Sequence, residues 1–212
     1  MLIQFTVGNF LSFKEKTTLS MVKSALHELP ENTIKVTDDF ELLKSAVIYG
    51  ANASGKSNFI KALAFMKFFA IASFKAYEAE EEIWVNCFLL NEETKNKPSS
   101  FEVVFIVDNI TYRYGFEADT KEVRKEWLFH ILKTKEESLF MRESSTFNIN
   151  GEQFPEGKDL NDKTRKNCLF LSVVSQFNGE ISTKIIKWFR KLRVSRSRDY
   201  KMFLDRTVSR LE

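Results

Sequence analysis

The sequence predicts a mixed α/β fold in which a strand–glycine loop–helix unit adjoins an antiparallel β lobe. Three observations predict it. A loop bounded by Gly50 and Gly55 separates a short apolar run from a long segment free of Gly and Pro. Two alternating runs between Phe101 and Phe116 meet at an Asp-Asn pair. Hydrophobic content is 43%, including 21 phenylalanines, enough for the core of one domain or of a domain with an inserted lobe. The expected divisions are 1–76 (N-terminal strands, loop and its helix), 77–157 (antiparallel β lobe) and 158–212 (a connecting segment and a basic helical region).

Residues 2–7 alternate, with Ile3, Phe5 and Val7 on one face, and read as a first strand. Gly8-Asn9 breaks it, and residues 11–13 and 17–21 read as further short strands. Residues 27–39 are polar, contain Pro30 and read as a loop. Ala46-Val47-Ile48-Tyr49 is a short apolar run and reads as a buried parallel strand. Residues 58–74 are apolar almost all round, interrupted by Lys61 and Lys67, and read as a buried helix. Glu78 and residues 80–82 form an acidic run, a solvated helix end or loop.

From Ile83 the period changes. Phe101, Val103, Phe105 and Val107 alternate, Asp108-Asn109 intervenes, and Ile110, Tyr112, Tyr114 and Phe116 alternate again. That is a hairpin pattern. Residues 126–133 and 139–142 repeat it, and 147–149 with Asn150-Gly151 adds another turn, so 83–155 reads as antiparallel β. Residues 158–166 are a polar connection. Residues 169–174 are apolar and fit either a strand or a buried helical turn. Residues 181–192 read as a helix with Ile185, Ile186, Phe189 and Leu192 on one face.

The chemistry concentrates in Gly50-Ala51-Asn52-Ala53-Ser54-Gly55-Lys56-Ser57, which fits the pattern G-x-x-x-x-G-K-[ST] without a mismatch. Gly50 and Gly55 permit backbone turns that a Cβ resists. Successive N–H groups then point inward at a helix N-terminus, where the helix dipole favours an anion. Lys56 is placed to reach the β- and γ-phosphates of a nucleoside triphosphate, and the Ser57 hydroxyl to reach Mg²⁺. Strand, loop and helix in that order are the context the motif requires.

Other classes have little to build on. Lys61, Lys67 and Lys75 interrupt the longest apolar stretches, which argues against a membrane span, and the N-terminus lacks the basic start of a secretory signal. The two cysteines, Cys87 and Cys168, and two histidines, His27 and His130, form no disulfide or zinc pattern. A reduced cytoplasmic location is the expectation. Net charge is +3, but the C-terminal stretch concentrates Lys184, Lys187, Arg190, Lys191, Arg193, Arg196, Arg198, Lys201, Arg206 and Arg210. That stretch is either a nucleic-acid-contacting surface or a solvated helix face. Asp108, ending the apolar run 103–107, offers an alternative: a self-contained AAA+-like NTPase with Asp108 as its Walker B acid. A hairpin turn explains the same residue without catalysis.

Beyond these readings, three segments resemble an ABC-type ATPase head of the SMC/RecF/OLD-like group, in particular stand-alone bacterial AAA-family ATPases of anti-phage defence and abortive-infection loci. Residues 3–13 (IQFTVGNFLSF) are similar to that family's opening strand and N-F-x-x-F turn, and residues 47–58 (VIYGANASGKSN) to its phosphate loop. Residues 101–116 and 126–142 resemble its β lobe. The resemblance implies ATP and Mg²⁺ as cofactors, with Gly50, Asn52, Ala53, Ser54, Gly55, Lys56, Ser57 and Asn58 binding nucleotide. It implies Ser57 and Gln176 on the metal side, although Gln176 reads equally as an ordinary polar loop residue. It further implies homodimers or larger assemblies closed over ATP and an effector protein; nucleic acid along residues 184–210 as a partner, and no membrane partner, rest on the charge and apolar patterns given above. The family's C-motif, Walker B strand with catalytic Glu and switch His have no counterpart here: Leu171-Ser172 and Leu19-Ser20 lack the glycines, and His27 and His130 come too early. The resemblance thus covers the N-terminal half of a head. ATP binding is expected, hydrolysis by this chain alone is expected to be incomplete, and the catalytic residue is unassigned.

Overall fold

A computed structural model describes residues 1–25, 29–132 and 135–195. Its centre is a seven-stranded sheet with spatial order β2-β1-β5-β6-β7-β8-β9. The strands are β1 (Leu2–Gly8), β2 (Thr17–Ser20), β5 (Ser99–Val107), β6 (Ile110–Ala118), β7 (Val123–Leu132), β8 (Lys135–Glu143) and β9 (Thr146–Ile149). Every neighbouring pair is antiparallel. β1 forms as its alternation predicts, burying Ile3, Phe5 and Val7. It pairs with β5, with Phe5 opposite Val103 and Val7 opposite Phe101. The N-terminal strands therefore belong to the same sheet as the β lobe, and the three sequence divisions share one core.

The β5–β6 hairpin turns at Asp108 (φ 49°) and Asn109 (φ 63°). Two successive positive φ values give the turn whose twist matches paired strands, and Asp and Asn tolerate that region. The connection between β7 and β8 at residues 133–134 lies outside the described residues.

Three helices cover one face of the sheet. α1 (Lys56–Ala76) crosses it, burying Phe59, Ala62, Met66, Phe69 and Ala70. Ring contacts trace its path: Phe59 on Phe5 of β1 at 5.2 Å, Phe65 on Phe101 of β5 at 5.1 Å, and Phe69 on Phe116 of β6 at 5.3 Å. The buried positions 59, 62, 66 and 69 lie three and four apart and so share one helix face, with Phe65 at its flank. A one-turn helix, α2 (Glu92–Lys95), begins at Asn91, whose side chain accepts from Glu93 N. α3 (Phe170–Gln176) and α4 (Glu180–Lys191) pack against α1 and each other. The α4 residues Ile185, Ile186 and Phe189 are buried, as their spacing predicts, while Leu192 is half-buried.

Several expectations are corrected. Ala46, Val47, Ile48 and Tyr49 form no buried parallel strand: Val47 is 70% and Tyr49 87% exposed. Among the described residues no parallel pair exists, so this run has no ladder to join. Residues 11–13 are a tight turn closed by Phe10 and Phe13, with Asn9 and Leu11 at positive φ. Most of the segment read as a loop over 27–39 is instead the first part of a hairpin, β3 (Thr33–Thr37) and β4 (Phe40–Leu43). That hairpin buries Leu42 against Ile3 and Ile106 on the opposite sheet face, a long-range contact that no local pattern carries. His27 lies outside the described residues.

Candidate functional site: the glycine loop at the start of α1

The loop leaves the exposed run 46–49, turns at Ala53 (φ 65°) and enters α1 through Gly55 (φ 96°). Ser54 N donates to Ala51 O at 3.2 Å, and both Asn58 N and Phe59 N donate to Gly55 O, at 2.9 and 3.0 Å. The first N–H groups of a helix have no partner within it. Among the described residues no acceptor takes the N–H of Gly55, Lys56 or Ser57. These donors and the helix dipole make an anion cradle.

The loop has no room for larger residues at its glycines. A Cβ on Gly50 would stand 2.6 Å from Ser54 Oγ, and one on Gly55 would stand 2.8 Å from Ser12 Oγ. Lys56 curls back over the loop: Nζ donates to Gly50 O at 2.6 Å and Ala51 O at 2.7 Å, and lies 3.4 Å from Ser54 Oγ. The ammonium is thus held against the carbonyl oxygens of the loop itself. Ser57, Asn52 and Ala53 are exposed at the loop surface.

The β1–β2 turn latches this loop. Asn58 Nδ2 donates to Ser12 Oγ at 3.0 Å, and Phe13 meets Phe59 edge-on at 6.0 Å. Sequence reading did not single out Ser12; its only signal was its position inside the N-F-x-x-F turn. Beside the loop runs a groove of about 320 Å³ lined by Phe13, Leu19, Ile48, Tyr49 and the loop itself. Its aromatic and aliphatic walls suit a flat, partly apolar group next to a phosphate chain.

Two other expected residues lie elsewhere. Asp108 sits on an exposed hairpin turn beside Lys184, its Oδ2 3.9 Å from Nζ. The latch residue Ser12 follows Gly8, which pairs with Ser100 at the opposite end of β5. The seven residue steps from Ser100 to Val107 separate the two ends by about 23 Å, so Asp108 cannot act as a metal-holding acid for this loop. The turn reading of Asp108 holds. Gln176 ends α3, whose Ser172 Oγ accepts from Phe74 N in the last turns of α1. From Ser57 to Phe74 the helix rises about 25 Å, so the expected approach of Gln176 to the metal side of Ser57 is not made here. Of the basic stretch, Lys184 to Arg193 are seen on and just after α4, while Arg196, Arg198, Lys201, Arg206 and Arg210 lie outside the described residues.

A glycine loop with open N–H groups, feeding a long helix against a large antiparallel sheet, fits an AAA-type phosphate-loop domain. The family model described as "AAA domain, putative AbiEii toxin, Type IV TA system" matches residues 45–208, and the chain belongs to that family. The match begins at the run that feeds the loop; β1 to β4 precede it. Membership gives the coarse class, an ATP-binding NTPase domain of the abortive-infection type. No curated protein matches the chain. Among the described residues no helix is long and apolar enough to cross a membrane.

Proposed function

We propose that this chain is the ATP-binding part of an ABC-type ATPase head that works as a nucleotide-driven dimer switch in bacterial anti-phage defence. One observation carries the nucleotide reading: the cradle formed by Gly55, the unpaired N–H groups of Lys56 and Ser57, and the inward ammonium of Lys56. A Cβ would crowd Ser54 Oγ at Gly50 and Ser12 Oγ at Gly55, so the tight path of the loop that exposes these N–H groups depends on both glycines.

Each residue has a defined part. The N–H groups of Gly55, Lys56 and Ser57 donate to phosphate oxygens. Lys56 exchanges its bonds to Gly50 O and Ala51 O for the β- and γ-phosphates. Ser57 presents its hydroxyl to Mg²⁺, and this arrangement offers Ser57, not Gln176, for that role. Bound Mg-ATP supplies the scissile phosphoanhydride and the positive charge that neutralises its oxygens. The groove of Phe13, Leu19, Ile48 and Tyr49 receives the base. A closed pair of heads that binds ATP better than the open pair is favoured as ATP binds, which is all a switch needs.

The test is Mg-ATP binding and turnover by this chain beside Lys56→Ala. Loss of a charge-assisted contact is worth about 1.5–3 kcal/mol, so affinity should fall at least tenfold. Binding that depends on Lys56 without turnover identifies a half-site completed by another segment or chain. Equal affinity in Lys56→Ala sinks the assignment.

A further inference from the structure

The β5–β6 turn and one side of α4 enclose a groove of about 460 Å³ that nucleotide binding at Lys56 does not use. Lys184, Lys187 and Lys191 line it from α4, with Trp188 among them and Asp108 facing from the turn. Positions three and seven residues on from Lys184 fall on one helix face, spread over about 10 Å of axis. Two carboxylates stand near, and both are engaged by Lys184: Glu180 Oε1 at 2.8 Å and Asp108 Oδ2 at 3.9 Å. Among the described residues no carboxylate pairs with Lys187 or Lys191, nor with the exposed Arg190 and Arg193 of the same stretch. Cationic groups along a concave wall raise a local positive potential that draws anions.

A single anion would need one lysine; a row of them matches a ligand whose charge repeats. Trp188 adds an aromatic surface to the row. Its indole is held in place by stacking on Phe105, with ring centroids 4.1 Å apart and planes at 23°. A positively charged groove with an aromatic wall is the combination that holds a nucleic-acid strand, phosphates on the cations and bases against the ring. The volume is that of a site for a drug-sized ligand, room for about one or two nucleotides of a single strand set against Trp188. We propose that this groove binds the phosphate backbone of single-stranded nucleic acid. It does not rest on the nucleotide reading, because it lies at the end of β5 remote from the glycine loop.

The test is fluorescence anisotropy of a fluorescein-labelled single-stranded oligonucleotide of about 16 nucleotides, the upper end of such site sizes, titrated with the full chain at several salt concentrations. The variant is Lys187→Glu with Lys191→Glu; both side chains are on the surface of α4, and circular dichroism checks that the fold is kept. Affinity should fall at least tenfold, and the slope of log K against log salt should shrink by about 1.4, two contacts at 0.7 each for a single strand. Asp108→Asn removes the carboxylate that lines the groove and should tighten binding. Mg-ATP binding should be the same in all three proteins, which separates this outcome from failure of the Lys56 site. Equal oligonucleotide affinity in wild type and the double variant overturns the proposal. So does displacement by polyglutamate at matched charge as effective as by unlabelled oligonucleotide, or tighter capture by vesicles of anionic lipid.

Discussion

Gly55 shows how much one residue can fix. At φ 96° a side chain strains the backbone, and any Cβ would meet Ser12 Oγ, so helix start and β1–β2 turn are joined through a position that only glycine fills without distortion. The cysteines make a sharper case. Cys168 is fully buried, and burial pushes its thiol up to about 12, while Cys87 is half-buried. A thiol reacts through its thiolate. In native protein an aromatic disulfide reagent should label Cys87 and leave Cys168 unmodified until denaturant is added. Equal labelling rates for the two would show that the core around Ser73 and Cys168 opens freely. At this scale the sequence was readable where chemistry is local: Lys56 and Ser57 announce themselves by spacing. Ser12 did not, because its contact with Asn58 joins residues far apart in the chain.

At the scale of elements, α3 is the instructive case. Residues 169–174 fitted a strand or a helical turn equally, and Val173-Val174 favours a strand by propensity. Glu126 decides it. From β7 its carboxylate accepts from Phe170 N at 2.6 Å, Leu171 N at 3.0 Å and the Tyr114 hydroxyl at 3.0 Å, supplying acceptors to the first turn of α3. Burial holds Glu126 above the usual carboxylate range, while Arg142, 3.8 Å away, pulls the other way. Arg142 in turn donates to the carbonyls of Cys168 and Ser144, tying β8 to the chain entering α3. Glu126→Ala would leave a buried guanidinium unpaired, at a cost of about 3–5 kcal/mol. Urea unfolding should show a loss of unfolding free energy of that size for Glu126→Ala and a smaller one for Glu126→Gln, which keeps an acceptor. Equal losses would mean that the negative charge facing Arg142 matters and that neither the side-chain volume nor a neutral acceptor does. The hairpins of the β lobe were legible because alternation and turn residues are local signals. The β3–β4 hairpin was hidden because its half-exposed strands gain their order by packing Leu42 on Ile3 and Ile106.

Over the whole molecule, order follows the sheet. The chain from 45 to 49 feeds the glycine loop without a backbone bond from its own N–H groups among the described residues, whereas β5, β6 and β7 are paired on both sides. Amide exchange should therefore be fast over Val47, Ile48 and Tyr49 and slowest in those central strands. Protection of the three that equals β5 would mean they are paired in solution. Apolar composition made this run look buried; whether such a run pairs depends on a neighbouring strand, and no composition can supply one. The same sheet ends on either side in strands of four residues, Thr17–Ser20 and Thr146–Ile149, rich in hydroxyl and amide side chains. So brief a hydrogen-bonding frontier offers another molecule little template for fibre growth. The wide, phenylalanine-rich sheet thus leaves little unpaired backbone at its two ends through which copies could join edge to edge.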